Sequence, residues 1–598
     1  MRYAHGVPRL RGFFYGVKNH PVGRKGETEM PAYGQVRKKT VWWVDAALLA
    51  GVLGLLYGIV QVGKGMVEPY APQSMTVSLD PSALPYYAGR SLMRMFVALG
   101  ASVVFTVLYA RLASRSRLGE RILIPLLDIL QSVPVLGFLS VTVVGFMALF
   151  PGSLLGPELA SIFAIFTGQV WNMTFGFYQS ITGVPKELRE ASRLYGLGGV
   201  RRFFVLDLAY GAVPLVWNSM MSFGGGWFFL AVSESITVMH RDIRLPGIGS
   251  YMAAAMDAGD VRALLYAMVT MVIVIIVVDQ LFWRPLVAWA QRFKVEQTAG
   301  PDLPTSWMLT LLRRSHIAEW ARRVFFEPAW LWMIAGRPPR APRMRMPSVA
   351  KKVVSAVIWA AVFVVAVYWI IRGGLMLREL GWRELFFPVL YGVLTLLRVA
   401  AAVLLGALWT IPVGVWIGTH PKWSRVAQPV VLVAASFPAN MFFPLITAAF
   451  LSLHVSLEWG SVALMMLGTQ WYILFNVIAG ASAIPGDLRE ASDLMRLGGW
   501  RRWRLLILPV IFPSLVTGLV TAAGGAWNAS IVAEVVSWKG TQLAATGLGA
   551  YITRATTNGD WPAIVWGIVV MAAFVVAVNR LLWRRLYRLA ENRYRLEV

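Results

Sequence analysis

The sequence predicts an all-α polytopic membrane protein of about 12 transmembrane helices, arranged as two parallel six-helix repeats. Hydrophobic residues make up 57% of the 598 residues and charged residues only 14%, which is too apolar for an ordinary soluble domain. Several windows longer than about 18 residues carry few charges, as a helix needs in order to cross a bilayer. These windows lack the alternation of barrel strands, so we expect helices.

An internal duplication predicts the two repeats. The segment VPKELREASRLYGLGGV, residues 184–200, recurs as IPGDLREASDLMRLGGW, residues 484–500, with ten of seventeen positions identical. The halves align at an offset of 300 residues from Gly168/Gly468 to Trp283/Trp583. Each half holds six predicted spans, so both insert in the same orientation, related by an axis along the membrane normal.

The first half begins with residues 1–40, a basic stretch that we interpret as a cytoplasmic tail. The first repeat follows as residues 41–290, with its transmembrane core at about 88–290. Its six spans are predicted at about 41–62, 88–112, a stretch through Pro134 to 150, 159–181, 203–232 and 264–286.

A basic linker, residues 291–350, connects the halves, and its short amphipathic pieces predict contact with membrane lipid. The second repeat is residues 351–598, with its core at about 385–590. Its spans are predicted at about 353–371, 387–418, 426–451, 461–483, 505–532 and 563–586. The net charge of +26 is concentrated beside the spans, which indicates the positive-inside pattern and not a nucleic-acid partner. Both termini are expected on the cytoplasmic side.

The duplicated segments predict two short charged helices, each between the fourth and fifth span of its repeat. Each begins near a proline, Pro185 or Pro485, and ends at a Gly-Gly pair. Counting spans places both on the cytoplasmic side, where a charged helix usually has a partner in water. The chain has no Cys, and its six His residues show no metal-ligand spacing, so thiolate, redox and zinc chemistry are not expected.

Both repeats resemble the permease component of binding-protein-dependent ABC importers, whose signature is Glu-Ala-Ala, three residues, Gly, nine residues and Ile-x-Leu-Pro. The matching residues are Arg189, Glu190, Ala191, Ser192 and Gly196 in the first copy and Arg489, Glu490, Ala491, Ser492 and Arg496 in the second. Both copies have Ser for the second Ala. The first copy ends in Ala209 where the second has Pro509, and Arg496 replaces the usual Gly.

This resemblance implies a type I importer permease fold in a bacterial inner membrane. It implies that the two charged helices couple to two ATPase subunits, that an external solute-binding protein delivers the solute, and that no cofactor or metal is held. No GxxxxGK followed by Ser or Thr occurs, so the chain itself is not expected to be an enzyme. The departures Arg496 and Ala209 predict unequal coupling by the two helices.

Within that superfamily, Arg94, Arg398, the segment SFPANMFFPL and the GLG-type loops resemble the nitrate, sulfonate, taurine and bicarbonate branch, which implies a small anion. Candidate pathway residues are Asn528, Trp227, Trp527, Glu234, Glu534, Arg94 and Arg398. Each has an alternative. The Arg and Glu residues could form buried ion pairs, since charges inside a membrane usually face a bundle interior. The Trp positions, which lie beside Gly residues, could simply pack helices together.

A 12-helix secondary carrier with parallel repeats is the alternative function. Such carriers typically have a basic loop after the second span, and Arg115, Arg117 and Arg121 form a faint version of one. The matched motif between the fourth and fifth spans favours the importer.

Overall fold

The computed structural model describes residues 42–66, 69, 77–238, 241–293, 381–538 and 541–594, with scattered positions between 306 and 380. The predicted tail at 1–40 lies outside the described residues. So do most of the linker at 291–350 and most of the span predicted at 353–371.

Nine helices of nine or more residues and one β-hairpin make up most of the described part of the first repeat, and shorter helical segments connect them. In chain order these are α1 (Trp42–Met66), α2 (Leu84–Arg115), α3 (Arg117–Ser132), α4 (Leu139–Leu149), α5 (Leu155–Thr182), α6 (Lys186–Leu194), α7 (Ala212–Ser233), β1 (Ser235–Val238), β2 (Arg241–Arg244), α8 (Ile248–Ala258) and α9 (Val261–Val278). Two π-helical turns occur, Phe203–Asp207 before α7 and Asp279–Trp283 after α9. The latter continues into Arg284–Ala290, so the last span is one long helical segment.

The second repeat has the same order of elements. These are α10 (Trp382–Thr419), α11 (Pro421–Ser436), α12 (Phe443–Ser452), α13 (Leu457–Ser482), α14 (Gly486–Leu494), α15 (Leu508–Ala533), β3 (Val535–Trp538), β4 (Thr541–Ala544), α16 (Leu548–Asn558) and α17 (Trp561–Val578). The π-helical turns recur as Trp503–Ile507 and Asn579–Trp583. The matching turns confirm the duplication at the level of backbone conformation.

The protein is an all-α polytopic membrane protein, as predicted. Among the described residues, seven helical segments are long and apolar enough to cross a membrane: Pro81–Arg115, Ala212–Ser233, Val261–Phe293, Trp382–Thr419, Leu457–Ser482, Gly499–Ala533 and Trp561–Arg593. Apolar side chains on α2 and α10, such as Leu108 and Leu408, are exposed, as expected for surfaces that face lipid.

The third predicted span of each repeat is not one continuous helix. In the first repeat α3 ends at Ser132, Pro134 lies in extended backbone, and a short 3₁₀ turn leads into α4. The second repeat breaks in the same way at Pro438, between α11 and α12. A proline removes a backbone donor and clashes with the preceding turn, so the helix stops before it.

The loop between the fifth and sixth spans is structured. β1 and β2 pair antiparallel with Ser235 opposite Arg244, and β3 and β4 pair with Val535 opposite Ala544. A short helix, α8 or α16, follows each hairpin. These elements define the hairpin end of the molecule. The opposite end, where α6 and α14 lie, is called the coupling end below.

The two repeats contact each other through their broken spans. The Val135 N–H at the break of α3 and α4 donates to the Asn528 carboxamide on α15, with N and O 2.8 Å apart. Arg584, after α17, forms an ion pair of 2.5 Å with Asp128 on α3. The break between α3 and α4 therefore lies against the second repeat.

Candidate functional site

The charged helices α6 and α14 are held to the preceding span by an arginine. The Arg189 Nη2 atom donates to the carbonyl oxygens of Ile181 and Thr182, at 3.1 and 2.8 Å, at the end of α5. Arg489 donates to the Ala481 carbonyl of α13 at 3.1 Å. The last carbonyls of a helix lack partners within the helix and carry partial negative charge, which suits a guanidinium. Each charged helix is thereby fixed to the span before it.

The Glu-Ala-Ser segments present a mixed surface. Glu190 and Glu490 are exposed, whereas Ser192 and Ser492 are buried on the inner side. The Ser192 hydroxyl donates to the Arg189 carbonyl at 2.7 Å. Ala191 is half-buried and Ala491 is exposed. The two carboxylates are therefore free to contact another molecule, while the serines pack inward.

Gly196 and Arg496 occupy the same backbone conformation. Their φ angles are +67° and +50°, and the N–H of the following leucine in each copy bonds back to the carbonyl of Ser192 or Ser492. This is a Schellman ending, in which the left-handed residue is usually Gly. Arg496 has a Cβ and takes this conformation at a cost of about 1–2 kcal/mol. Arg496, which departs from the signature, therefore adds backbone strain at the end of α14, but the backbone follows the same course as in the first copy.

Large apolar side chains are exposed at and after the last residue of each charged helix: Leu194 (89%), Tyr195 (66%) and Val200 (65%) in the first copy, Leu494 (85%), Met495 (72%) and Trp500 (73%) in the second. The exposed carboxylates Glu190 and Glu490 and these two sets of exposed apolar side chains share one end of the molecule. Together they form a surface that fits a protein partner. Position 195/495 and position 200/500 differ between the copies, so the two surfaces are similar but not identical.

The first charged helix has further polar supports that the second lacks. The Arg111 guanidinium of α2 lies 4.2 Å from the Phe203 ring centre and donates to the Gly199 carbonyl. Burial raises the pKa of Asp207, against the opposing positive charges of Arg202, Arg189 and Arg111. From Arg94/Arg398 to Pro134/Pro438 the halves align at an offset of 304 residues, so Val415 stands at the position of Arg111, and Ile507 stands at that of Asp207. There, Arg502 pairs with Asp493 at 2.9 Å instead.

At the hairpin end, the first repeat contains a buried ion cluster. Arg94 on α2 pairs with Glu158 on α5 at 2.5 Å and with Glu234 after α7 at 2.6 Å. Arg90 also pairs with Glu158 at 2.5 Å. All four side chains are at most 1% exposed. Glu234 further accepts from the Ser91 hydroxyl at 2.5 Å. Two cations and two anions balance each other.

This cluster fixes the segment that follows the hairpin. Glu234 accepts the Gly249 N–H at 2.7 Å, and the Ser91 hydroxyl accepts the Ile248 N–H at 3.1 Å. Those groups are at the first turn of α8, where backbone donors have no partner within the helix. A Cβ atom at Gly247 would collide with the Glu234 carboxylate, so the glycine permits this close approach.

The second repeat has the same cluster with one cation fewer. Arg398 pairs with Glu458 and, at 3.1 Å, with Glu534, which also accepts from the Thr395 hydroxyl at 2.7 Å. Leu394 stands at the position aligned with Arg90. The Glu458 side chain is 41% exposed and also accepts the Thr546 N–H. Solvent and this backbone donor take the place of the second arginine.

The structure places the predicted pathway residues as follows. Arg94, Arg398, Glu234 and Glu534 are brought together in the two ion clusters, which is the alternative considered for them. Trp227 and Trp527 are 1% and 2% exposed and pack against Phe223 and Phe574. Asn528 is half-buried at the centre and bonds to the other repeat. A pathway role for these residues stays a prediction.

Glu158 and Glu458 were not predicted. The sequence places Glu158 in a turn before the fourth span, but its offset of 300 from Glu458 is the same as that of Glu234 from Glu534. This shared offset is the sequence feature by which Glu158 and Glu458 could have been recognised as a matching pair. Among the described residues there is no cluster of three or more His, Asp or Glu side chains that could hold a metal.

Comparison with known proteins gives a match to one family over both repeats. The inner-membrane component of binding-protein-dependent transport systems matches residues 98–283 and again residues 410–596. Together these segments cover more than half of the chain.

Three similar proteins illustrate the relationship. The nitrate import permease of Leptolyngbya laminosa is 24% identical over 187 residues, 31% of this chain and 63% of that protein. The bicarbonate transport system permease of Synechococcus elongatus is 23% identical over 209 residues, 35% of this chain and 69% of that protein. The carnitine transport permease of Listeria monocytogenes is 26% identical over 217 residues, 36% of this chain and 86% of that protein. The match to the nitrate permease thus spans less than two thirds of that relative's length.

Proposed function

Because the chain belongs, through both of its repeats, to the family of inner-membrane components of binding-protein-dependent transport systems, we propose that it forms the whole translocation pathway of an ABC importer. The family match confirms the predicted resemblance, the duplication and the type I permease fold. The two repeats then take the place of two separate permease subunits around one central path.

The observation that carries this proposal is the pair of charged helices at the coupling end. α6 and α14 occur at the same place in both repeats, each fixed to the preceding span through Arg189 or Arg489. Each exposes a carboxylate, Glu190 or Glu490, beside uncovered apolar side chains. A rigid helix with this surface can transmit motion of a bound partner to the spans.

The proposed partners follow from the number and placement of these helices. Two coupling helices correspond to two ATPase subunits, which hydrolyse ATP in a separate chain, so the permease itself is not an enzyme. A solute-binding protein docks at the hairpin end. This arrangement puts the coupling end and both termini in the cytoplasm of a bacterium, with the spans in its inner membrane, as the basic flanks of the spans favour.

The proposed solute is a small anion. Relatives named as nitrate and bicarbonate permeases support this class. The buried arginines do not supply a free charge for the anion, since Arg94 and Arg398 are neutralised by glutamates.

Charge reversal at both coupling helices tests the proposal. We expect Glu190→Lys together with Glu490→Lys to abolish solute-dependent stimulation of the ATPase and ATP-driven uptake, while the membrane-inserted protein remains at its normal level. The control is Glu591→Lys, which makes the same charge change at an exposed site of the coupling end. Normal uptake by the double variant would refute the coupling role.

The two single variants extend this experiment. Because Arg111 and Asp207 support only the first copy, and Arg496 strains only the second, we expect Glu190→Lys and Glu490→Lys to reduce coupling to different extents. Equal losses would refute the predicted asymmetry and leave the main assignment intact.

A further inference from the structure

The two repeats meet along two seams that the internal symmetry relates. At the first seam, α11 of the second repeat lies against α7 and α9 of the first. At the second seam, α3 of the first repeat lies against α17 of the second. α3 aligns with α11 at the offset of 304 residues, and α9 aligns with α17 at the offset of 300. Just after the breaks, Leu136 and Met441 are each buried against the other repeat. The seams differ before the breaks, in α3 and α11.

The first seam is closed by apolar packing. Leu432 and Val433 of α11 pack against the buried core of the first repeat. A Cβ atom on Gly224 of α7 would lie only 2.6 Å from the Ser436 hydroxyl, so the glycine lets the two helices approach closely. Packing of this kind holds the helices through many small van der Waals contacts, which separation would remove together.

Each seam has one ion pair, but the carboxylates lie on different repeats. Arg284, at the end of the sixth span of the first repeat, pairs with Asp279 of the same helical segment at 2.9 Å. The aligned Arg584 has Asn579 at the position of Asp279. Arg584 pairs instead with Asp128 of the first repeat at 2.5 Å. The pair at the first seam therefore stays within one repeat, and the pair at the second seam joins the two.

The same exchange of residues changes how α3 is attached. Asp128 stands at the position of Leu432, one of the side chains by which α11 packs on the other repeat. An uncompensated carboxylate in an apolar core is costly, so α3 cannot pack there in the same way. Leu123 and Ile124 of α3 pack instead against their own repeat. α3 is thus attached to the second repeat through a charge, and α11 to the first through apolar contact.

The second seam is the looser of the two. A Cβ atom on Gly524, which aligns with Gly224, would meet no atom within 4 Å. The Arg584 and Asp128 side chains are 50% and 26% exposed, so water can solvate both charges when the pair breaks. The helix Arg584–Arg593 is followed by a tyrosine that packs near the start of α15, which places this ion pair toward the coupling end.

We propose that the repeats separate at the second seam when the coupling end opens, with the Asp128–Arg584 ion pair as the latch and the packed first seam as the hinge. Asp128 and Arg584 are then positioning residues, which set the closed arrangement of the repeats without contacting the solute. The motion is one-sided, because the symmetry-related arginine, Arg284, makes its ion pair inside its own repeat. This inference rests on the proposed function, since it assigns the motion that transport uses.

Paired spin labels on the full chain in lipid nanodiscs test the latch. The natural absence of Cys makes each introduced pair of thiols unique. Leu126→Cys with Leu581→Cys reports on the second seam, and the aligned pair Val430→Cys with Leu281→Cys reports on the first. All four side chains are exposed, so the labels can be attached without disturbing the core.

Removal of one charge is then compared at the two seams. We expect Asp128→Asn to lengthen the distance across the second seam by several ångströms and to leave the first seam unchanged. Asp279→Asn is the matched control, since it removes the same charge from a pair within one repeat, and we expect it to change neither distance. Asp128→Arg with Arg584→Asp should restore the unmodified distance, because the ion pair is kept. An unchanged second seam in Asp128→Asn would overturn the latch.

A disulfide across the first seam tests the hinge. The Cβ position on Gly224 lies 3.5 Å from the Ser436 Cβ atom, within the range of disulfides, so Gly224→Cys with Ser436→Cys can be oxidised. We expect ATP-driven nitrate uptake by the oxidised variant to stay close to that of its reduced form. Linking Asp128→Cys to Arg584→Cys with a short bifunctional methanethiosulfonate should lower uptake several-fold until reductant is added. Loss of uptake on oxidation of the first-seam variant would overturn the hinge.

The two experiments separate this inference from the importer assignment. The spin-label distances do not require uptake, so they test the latch whatever the chain transports. Absence of nitrate uptake by the unmodified chain would count against the proposed function, whereas a second seam that stays closed in Asp128→Asn would count against the latch alone.

Discussion

The buried ion clusters predict that the two repeats respond differently to loss of the same arginine. In Arg94→Met, the carboxylates of Glu158 and Glu234 remain in a site where every side chain is at most 1% exposed. Arg90 still pairs with Glu158, but Glu234 retains only the Ser91 hydroxyl and the Gly249 N–H. Arg398→Met likewise leaves Glu534 buried without a cation, with the Thr395 hydroxyl and the Ala550 N–H as its partners, but Glu458 is 41% exposed, so water can replace the contact that it loses.

The expected losses of stability follow from the burial of the carboxylates that each substitution leaves behind. Removing one partner of a buried ion pair costs about 3–5 kcal/mol because the remaining charge is uncompensated, and Arg94→Met belongs to this class. Arg398→Met strands Glu534 in the same way, but we expect its cost toward the lower end of that range, because the partly exposed Glu458 loses less than the buried Glu158. Adding Glu234→Gln to Arg94→Met removes the stranded charge, so part of the loss is recovered.

Thermal unfolding of the purified protein in one detergent gives the comparison. We expect the highest Tm for the unmodified protein and the lowest for Arg94→Met, with Arg398→Met and the Arg94→Met/Glu234→Gln double variant between them. A Tm for Arg398→Met at or below that of Arg94→Met would refute the argument from exposure. Failure of Glu234→Gln to recover any stability would refute the argument from a stranded carboxylate.

The coupling helices give two further predictions. Replacing Arg496 by Gly removes the cost of the left-handed conformation, so we expect the free energy of unfolding to rise by about 1 kcal/mol. We expect Gly196→Arg to lower the free energy of unfolding by a similar amount. Thermal unfolding measures both changes. A loss on Arg496→Gly would show that the Arg496 side chain makes a stabilising contact that outweighs the strain. Arg189→Ala removes two charged hydrogen bonds and Arg489→Ala one, each of about 1.5–3 kcal/mol, so backbone amide exchange in α6 should rise more than in α14. Unchanged exchange in both would contradict the anchoring role.

Hydropathy and the internal repeat predict most of the spans, because a helix in lipid satisfies its own backbone and needs only length and apolar side chains. The span predicted at 387–418 is found as the apolar helix Trp382–Thr419, and a helix, Leu155–Thr182, covers the span predicted at 159–181. The two predicted short charged helices are found as Lys186–Leu194 and Gly486–Leu494.

Hydropathy does not predict the helix breaks at Pro134 and Pro438. The stretch through Pro134 has the apolar composition of a continuous span, so composition alone predicts one helix. Whether a proline bends or interrupts a buried helix depends on partners for the freed backbone groups. One such partner, Asn528, is 393 residues away from Val135 and belongs to the other repeat. No local pattern contains that information.

The ion clusters could be predicted from the sequence only in part. Arg94 and Glu234 stand out because charges are costly in a span, and their pairing was one of the alternatives considered. Glu158 lies at the start of α5, where hydropathy places a turn, and only the fold shows that this end of the helix is buried. The β-hairpins and the helices α8 and α16 have no comparable sequence signal, since they are short and held by contacts with Glu234 and Glu534.

The most direct test of the central claim is uptake by proteoliposomes that contain the chain with and without its ATPase subunits. With nitrate or bicarbonate delivered by the solute-binding protein, we expect accumulation only when the ATPase and ATP are both present at the coupling end. Accumulation driven by an ion gradient, without ATPase or ATP, would contradict it and favour a secondary carrier built from the same two repeats.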